Sequence, residues 1–163
     1  GVLHWHVDAS FATLPDMRGH TGGVLTMGTG CLVVTSTKQK CNVRSSTMGE
    51  LVAVDEMIGQ ILWTRLFMLE QGIKVSDNIL YQDNKSAILL ETNGRASSSK
   101  RTKHIKIRYY YVADRIANGD LSIVWCPTDK MIADFLTKPL QGKVFQKFRD
   151  VLMAAVPKWY DID

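Results

Sequence analysis

The stretch LYQDNKSAILL, Leu80 to Leu90, decides how the chain is read. Asn78-Ile79-Leu80-Tyr81 has the makeup of a buried strand, and that strand stops at Asp83. Ala87-Ile88-Leu89-Leu90 follows at once and reads as a helix. Aspartate is a poor strand former and is costly to bury unpaired. Its place at the hinge between strand and helix therefore asks for a reason beyond packing.

Working outward, LHWHVDAS (3–10) reads as another strand ending in an acid, Asp8. GGVLTMGTGCLVVTSTKQ (22–39) reads as a hairpin turning at Gly28-Thr29-Gly30. From Thr47 to about Glu70, Leu51, Val54, Ile58, Ile61, Leu62, Leu66 and Leu69 recur at steps of three and four, the pattern of a long amphipathic helix that Gly72 ends. After the strand at 78–82 come a short helix from Ser86 and the segment SSSKRTKHIKIRYYYVADRIANGD (97–120), helical in its later half. LSIVWCPT (121–128) makes a fifth strand, DKMIADFLTK (129–138) a helix stopped by Pro139, and GKVFQKFRDVLMAA (142–155) a last helix. Three meandering strands followed by strands joined through helices argue an α/β (mixed α+β) domain with a five-stranded mixed sheet flanked by helices.

A chain of 163 residues with 45% apolar content is the size of one domain with an ordinary core, and no apolar run is long enough to span a membrane. It opens at Gly1 directly into a strand-like pattern with no basic and apolar leader, and it reads as one domain over 1–163 cut from a longer protein. Cys31, Cys41 and Cys126 are odd in number and lack the close pairing of a zinc site, which fits a reducing compartment. Lys and Arg outnumber Asp and Glu by 20 to 16. Lys100, Arg101, Lys103 and Arg108 concentrate that excess in one segment suited to phosphates, although such a run is also an ordinary solvated face.

Four acids stand out by position. Asp8 ends the first strand, Asp83 ends the fourth, Glu50 lies in the first turn of the long helix, and Asp134 lies in the helix after the fifth strand. Parallel strands that end side by side place their terminal residues in one crevice of an open sheet. Carboxylates gathered there repel one another, and a fold keeps such a cluster mainly to bind divalent cations. Oxygen-only ligands favour Mg²⁺ over zinc or copper. Each acid also has a plainer reading. Glu50 could be the capping-box partner of Thr47, Asp83 and Asn84 could be a turn and helix cap, and Asp134 could be a solvated helix acid as Asp55, Glu56 and Asp129 are.

The runs VDAS, TSTKQKCNVRSSTMGELVAVDE, LYQDNKSAILL, RTKHIKIRYYYV and PTDKMIADFLTKPL, in this order from about residue 4 to residue 148, resemble the ribonuclease H domain of copia-type LTR retrotransposon reverse transcriptases. The resemblance implies a ribonuclease H-like fold and hydrolysis of the RNA strand of an RNA–DNA hybrid. It places the family's four metal-binding acids on Asp8, Glu50, Asp83 and Asp134. Two Mg²⁺ ions are implied, with Mn²⁺ as a possible substitute, and Asp8 would be shared between them. A two-ion site of this kind holds its cations roughly 3.5–4 Å apart. Ser10, Ser46, Thr47, Asn84, Lys85, Arg101, Lys103 and His104 become candidates for contacts to the hybrid. The implied partner is the polymerase domain of the parent polyprotein, in an intracellular, cytoplasmic retrotransposon particle, with no membrane and no oligomeric state specified.

Departures from the family pattern are local. Gln82 stands for a usual Cys, Met48-Gly49 for Glu-Ala, Lys85 for Gln and Lys106 for Asp, and CPTDKMIA lacks the histidine that many cellular ribonucleases H carry before the last acid. The alternative from another class is a non-catalytic nucleic-acid or protein-binding module on the same fold.

Overall fold

The structure, a computed structural model, describes residues 1–93 and 103–155, with residues 103–107 and 109 described by their backbone alone. Three strands come first, β1 (Val2–Ser10), β2 (His20–Thr26) and β3 (Val33–Lys38). They are followed by α1 (Ser46–Glu70), β4 (Asp77–Gln82), α2 (Lys85–Asn93), α3 (Lys103–Ala117) and β5 (Ser122–Trp125). A 3₁₀ turn (Thr128–Lys130), α4 (Asp134–Thr137) and α5 (Gly142–Leu152) close the described chain. The sheet order is β3-β2-β1-β4-β5, antiparallel from β3 to β1 and parallel from β1 through β4 to β5.

Strand alternation assigns β1 to two different environments. Leu3, Trp5, Val7 and Ala9 point to the face covered by α1 and α3, where Val54, Met57, Ile58, Ile61 and Val112 complete the main core. The even positions His4, His6 and Asp8 belong to the opposite face. There Val24, the register partner of His6, packs with Ile132, Phe148, Val151 and Leu152. His6 stacks on Tyr81 with ring centroids 4.8 Å apart. Adjacent glycines let helices approach both faces. A Cβ on Gly23 would meet the Met57 side chain, and one on Gly22 would sit 2.9 Å from the Ala133 carbonyl oxygen and 2.7 Å from Thr137 Cγ2. Gly22 therefore admits α4 against the sheet beside its register partner Asp8.

The long helix begins where Ser45 caps it, its side chain accepting from the Met48 amide at 3.2 Å. It ends at Gly72, whose φ of +75° suits the left-handed position after a helix. Its apolar stripe is shorter than the sequence periodicity suggests. Leu51, Val54, Ile58 and Ile61 are buried, whereas Leu66 and Leu69 are exposed beside Trp63 and Phe67, because the inward face of the last turns runs through buried Thr64 and through Met68, which packs on the core.

Two other expectations are corrected. Residues 129–138 do not form one helix. Met131, Ile132 and Ala133 are all completely buried, so the chain threads into the core between a 3₁₀ turn and the four-residue α4, held by three-residue steps such as Asp134 N–H to Met131 O (3.0 Å). The fifth strand stops at Trp125 instead of running to residue 128, since Pro127 has no amide for the ladder.

Candidate active site

The register builds the centre of the site. Val2 to His6 pair in parallel with Asp77 to Tyr81, and continuing the same register carries Asp8 level with Asp83 just past the last paired residues. Asp83 leaves β4 directly after Gln82, as expected. Asp8 does not end its strand: β1 stays paired with β2 as far as Ser10, so Asp8 is fixed from one side by a continuous ladder, opposite Gly22. It is buried, while Asp83 is partly exposed.

Glu50 enters from α1. With the cap at Ser45, it stands in the second helical turn rather than at the third position, so it is not a capping-box partner of Thr47. Gln39 fixes the start of this helix. Its buried amide donates to the Gly49 carbonyl at 2.9 Å and to Thr21 Oγ1 at 3.2 Å. Glu50 is only 4% exposed and its Oε2 has no hydrogen-bond partner. One carboxylate oxygen from each of Asp8, Glu50 and Asp83 lies within 4.8 Å of the others. Burial, then the charges of Asp8 and Asp83, push the Glu50 carboxyl well above the usual range.

Asp134 is not part of that trio and reaches the cluster from the far side of Asp8. Lys138 Nζ lies 2.7 Å from Asp134 Oδ1 and 3.6 Å from Asp8 Oδ2, and Thr137 Oγ1 donates to the same Asp8 oxygen. Burial and the Asp8 charge push Asp134 up to about 7, against the pull of Lys138. Burial opposes the charge on Lys138, but Asp8, Asp134 and Asp83 outweigh it and raise its pKa. The cleft over the trio has a volume of about 560 Å³ and is walled by Ser10, Phe11, Ser46, Asn84, Lys85 and Lys138 among others.

The oxygen-only donor set, the close approach of the three carboxylates and the unpartnered, buried Glu50 oxygen together fit a hard divalent cation. No protein-family model matches the chain. It is 34% identical over 158 residues to the retrovirus-related Pol polyprotein from transposon RE2 of Arabidopsis thaliana, a match covering 95% of this chain and 11% of that protein. It is 28% identical over 152 residues to the corresponding polyprotein from transposon TNT 1-94 of Nicotiana tabacum, covering 93% of this chain and 11% of the relative. The chain thus spans about a tenth of the length of these curated relatives. Its fold matches LC11-RNase H1, solved in complex with RNA/DNA hybrid, with a TM-score of 0.58 at 14% identity over 83% of this chain and 93% of that one. The chain is thus similar in sequence to a segment of retrotransposon Pol polyproteins and has the fold of ribonuclease H structures.

Around this cluster, the remaining candidates fall into three groups. Ser10, Ser46, Asn84 and Lys85 line the cleft. Thr47 stands behind it, touched by the Asn84 amide at a long 3.5 Å. Asn84, not Asp83, caps α2, its Oδ1 accepting from the amides of Ser86 and Ala87, both at 3.1 Å. Lys103 and His104 open α3 on the backbone alone, and Arg101 lies outside the described residues.

Sequence reasoning missed four residues around this cluster. Lys138 and Thr137 stand in the quoted run ADFLTKPL, and the step of four from Asp134 to Lys138 was a readable helical ion-pair signal. Thr128, whose hydroxyl donates to Asp83 Oδ2 at 2.9 Å, and Trp125, whose indole donates to the Asp83 carbonyl at 3.1 Å, carried no local signal. The Lys85 ammonium lies 4.4 Å over the Trp125 ring, which ties an expected residue to a missed one.

Proposed function

We propose that this domain hydrolyses the RNA strand of RNA–DNA hybrids in a reaction that depends on divalent cations, Mg²⁺ or in its place Mn²⁺. The observation that carries the reading is the convergence of Asp8, Glu50 and Asp83 with a buried, unpartnered Glu50 oxygen at the floor of an open cleft. Asp8, Glu50 and Asp83, with Asp134 on the far side of Asp8, would hold the cations, whose chemistry when bound is to activate a water and stabilise the leaving oxygen of a phosphodiester. The chain's own work is to hold these carboxylates together against their repulsion. β1 and β4 do so by register, and α1 and α4 by packing on opposite faces. Ser10, Ser46 and Asn84 offer hydroxyl and amide groups to 2′-hydroxyls in a wide minor groove, and Lys85 offers a charge to a phosphate. Arg101, Lys103 and His104 would extend the phosphate contacts along the hybrid.

By the same reading the chain is one domain of a copia-type polyprotein whose polymerase domain shares the grip on the hybrid. The site of action would be a cytoplasmic particle. Among the described residues no helix is long and apolar enough to cross a membrane. The test is incubation of the domain with labelled RNA–DNA hybrid, double-stranded RNA and double-stranded DNA in Mg²⁺. Cleavage of the hybrid RNA alone is the expected result. Binding without cleavage in Mg²⁺ or Mn²⁺ would replace this reading with that of a non-catalytic module.

A further inference from the structure

Among the described residues, Lys138 is the one cation within ion-pairing distance of any of the four acids. Its position is built in. Pro139 forces the preceding residue out of helical geometry, and Lys138 is accordingly extended, with φ −127° and ψ 143°. Its amide still bonds the Asp134 carbonyl at 3.0 Å, so the backbone is tied down while the side chain is directed back over Asp8 and Asp134. That side chain is 37% exposed. Lys138 also stands on the ridge between two depressions. One is the acid-floored cleft, and the other is a groove of about 320 Å³ bounded by Thr13, His20, Phe135 and Pro139.

We propose that Lys138 is a counter-ion with two positions: it bridges Asp8 and Asp134 in the metal-free protein, and on cation binding it gives up that pair and turns toward the neighbouring groove to hold a phosphate of the bound nucleic acid. The proposal rests on the metal-dependent reading above. A lysine suits the task because its ammonium is a point charge on a flexible stem, without the fixed two-pronged geometry of arginine. Lys138 acts through Asp8 and Asp134 and through the substrate's position, so it is a positioning residue. Because the two events share one side chain, cation binding and hybrid binding reinforce each other, and by linkage the reinforcement is reciprocal.

The test measures Mn²⁺ binding by calorimetry and metal-free melting for the parent, Lys138→Met and Lys138→Arg. It also measures hybrid affinity across a salt series in Ca²⁺. Lys138→Met is expected to bind Mn²⁺ roughly tenfold more tightly, since no ammonium competes for the carboxylates. It should melt lower without metal and lose about one unit from the salt slope of hybrid binding. Lys138→Arg is expected to bind Mn²⁺ more weakly than the parent, because a guanidinium grips a carboxylate through two bonds, and to keep the salt slope. It also carries the test should the methionine variant fold poorly. Equal Mn²⁺ affinity in all three proteins, or an unchanged salt slope in Lys138→Met, overturns the two-position account. If the parent binds no Mn²⁺, or Asp8→Asn leaves its binding unaltered, the metal-dependent reading itself has failed.

Discussion

Glu50 and Glu91 are both glutamates on helices, both buried, and both carry carboxylate oxygens without a hydrogen-bond partner. Burial pushes the Glu91 carboxyl up to about 8, and the nearby Gln82 amide draws it back somewhat, although the pair falls short of hydrogen-bonding geometry. For Glu50, burial is joined by the like charges of Asp8 and Asp83. Glu91 can rest as a neutral acid in the protein interior. Glu50 cannot be relieved in that way without leaving two further carboxylates beside it. A raised pKa alone therefore does not single out a candidate site acid; like charges aimed at one point set Glu50 apart.

The sharpest break between the two would come from hydrolysis. Glu50→Gln is expected to reduce cleavage of hybrid RNA to the assay background, while Glu91→Gln stays within a few-fold of the parent. Asp83→Asn should follow Glu50→Gln. It should leave the metal-free protein as stable as the parent or more so, because it removes one repelling charge, and should shrink the rise in melting temperature on adding Mg²⁺. A cleavage rate near the parent's in Glu50→Gln, or loss of cleavage in Glu91→Gln, would undo the distinction.

Stability against pH gives the next largest contrast. Between the ordinary glutamate value of 4.5 and about 8, folded Glu91 keeps a proton that the unfolded chain has released. The folded state binds more protons in that window, so stability is full below it and falls as pH rises through it, by on the order of a few kcal/mol. Glu91→Gln should flatten that fall in chemical denaturation series from pH 5 to 8. A slope that survives in Glu91→Gln would mean that the loss arises in the acid cluster.

Proton release on metal binding reverses the roles. Asp134, raised to about 7, holds a proton at pH 6 that a cation must displace, and the upward push on the Glu50 carboxyl acts in the same direction. Mn²⁺ affinity should climb from pH 6 to above 7, and calorimetry in buffers of different ionisation enthalpy should show protons released. Glu91→Gln should change neither result. Proton release that vanishes with Glu91 would place that residue in the site.

Much of this was legible because strand alternation and register are periodic. VDAS and LYQDN place an acid near the end of one strand and just past the end of another, and two parallel strands suffice to bring Asp8 and Asp83 together. Glu50 was picked out by its place in the first turn and by the resemblance, although TMGE reads equally well as a cap, and the decisive fact is that Ser45 caps the helix. What remained hidden was carried by contacts far apart in sequence. Thr128 meets Asp83 across 45 residues, and Thr137 meets Asp8 across 129. Glu91 was hidden for another reason: it stands four residues after buried Ala87, on the inward face of α2, but a glutamate there reads as a solvated helix residue. The stretch 129–138 has helical periodicity, but burial of Met131 to Ala133 on all sides overrides it.

The finest probe of the contrast is Thr128→Val, which keeps the side-chain shape and removes the hydroxyl that donates to Asp83 Oδ2. That bond is exposed, so its loss should cost only about 0.5–1.5 kcal/mol of stability. Its purpose is orientation. Freed from Thr128, the Asp83 carboxylate can turn toward solvent and away from Glu50, which then ionises more readily. Mn²⁺ should bind a few-fold more weakly and release fewer protons at pH 6, and cleavage should fall by far less than in Asp83→Asn. The slope of stability against pH that belongs to Glu91 should be untouched, because no part of that environment has changed. Cleavage as low as in Asp83→Asn would show that the hydroxyl does more than aim the carboxylate. Unchanged Mn²⁺ binding and proton release would show that the end of β4 alone fixes Asp83, and that the pressure on Glu50 comes from the backbone register of the two strands.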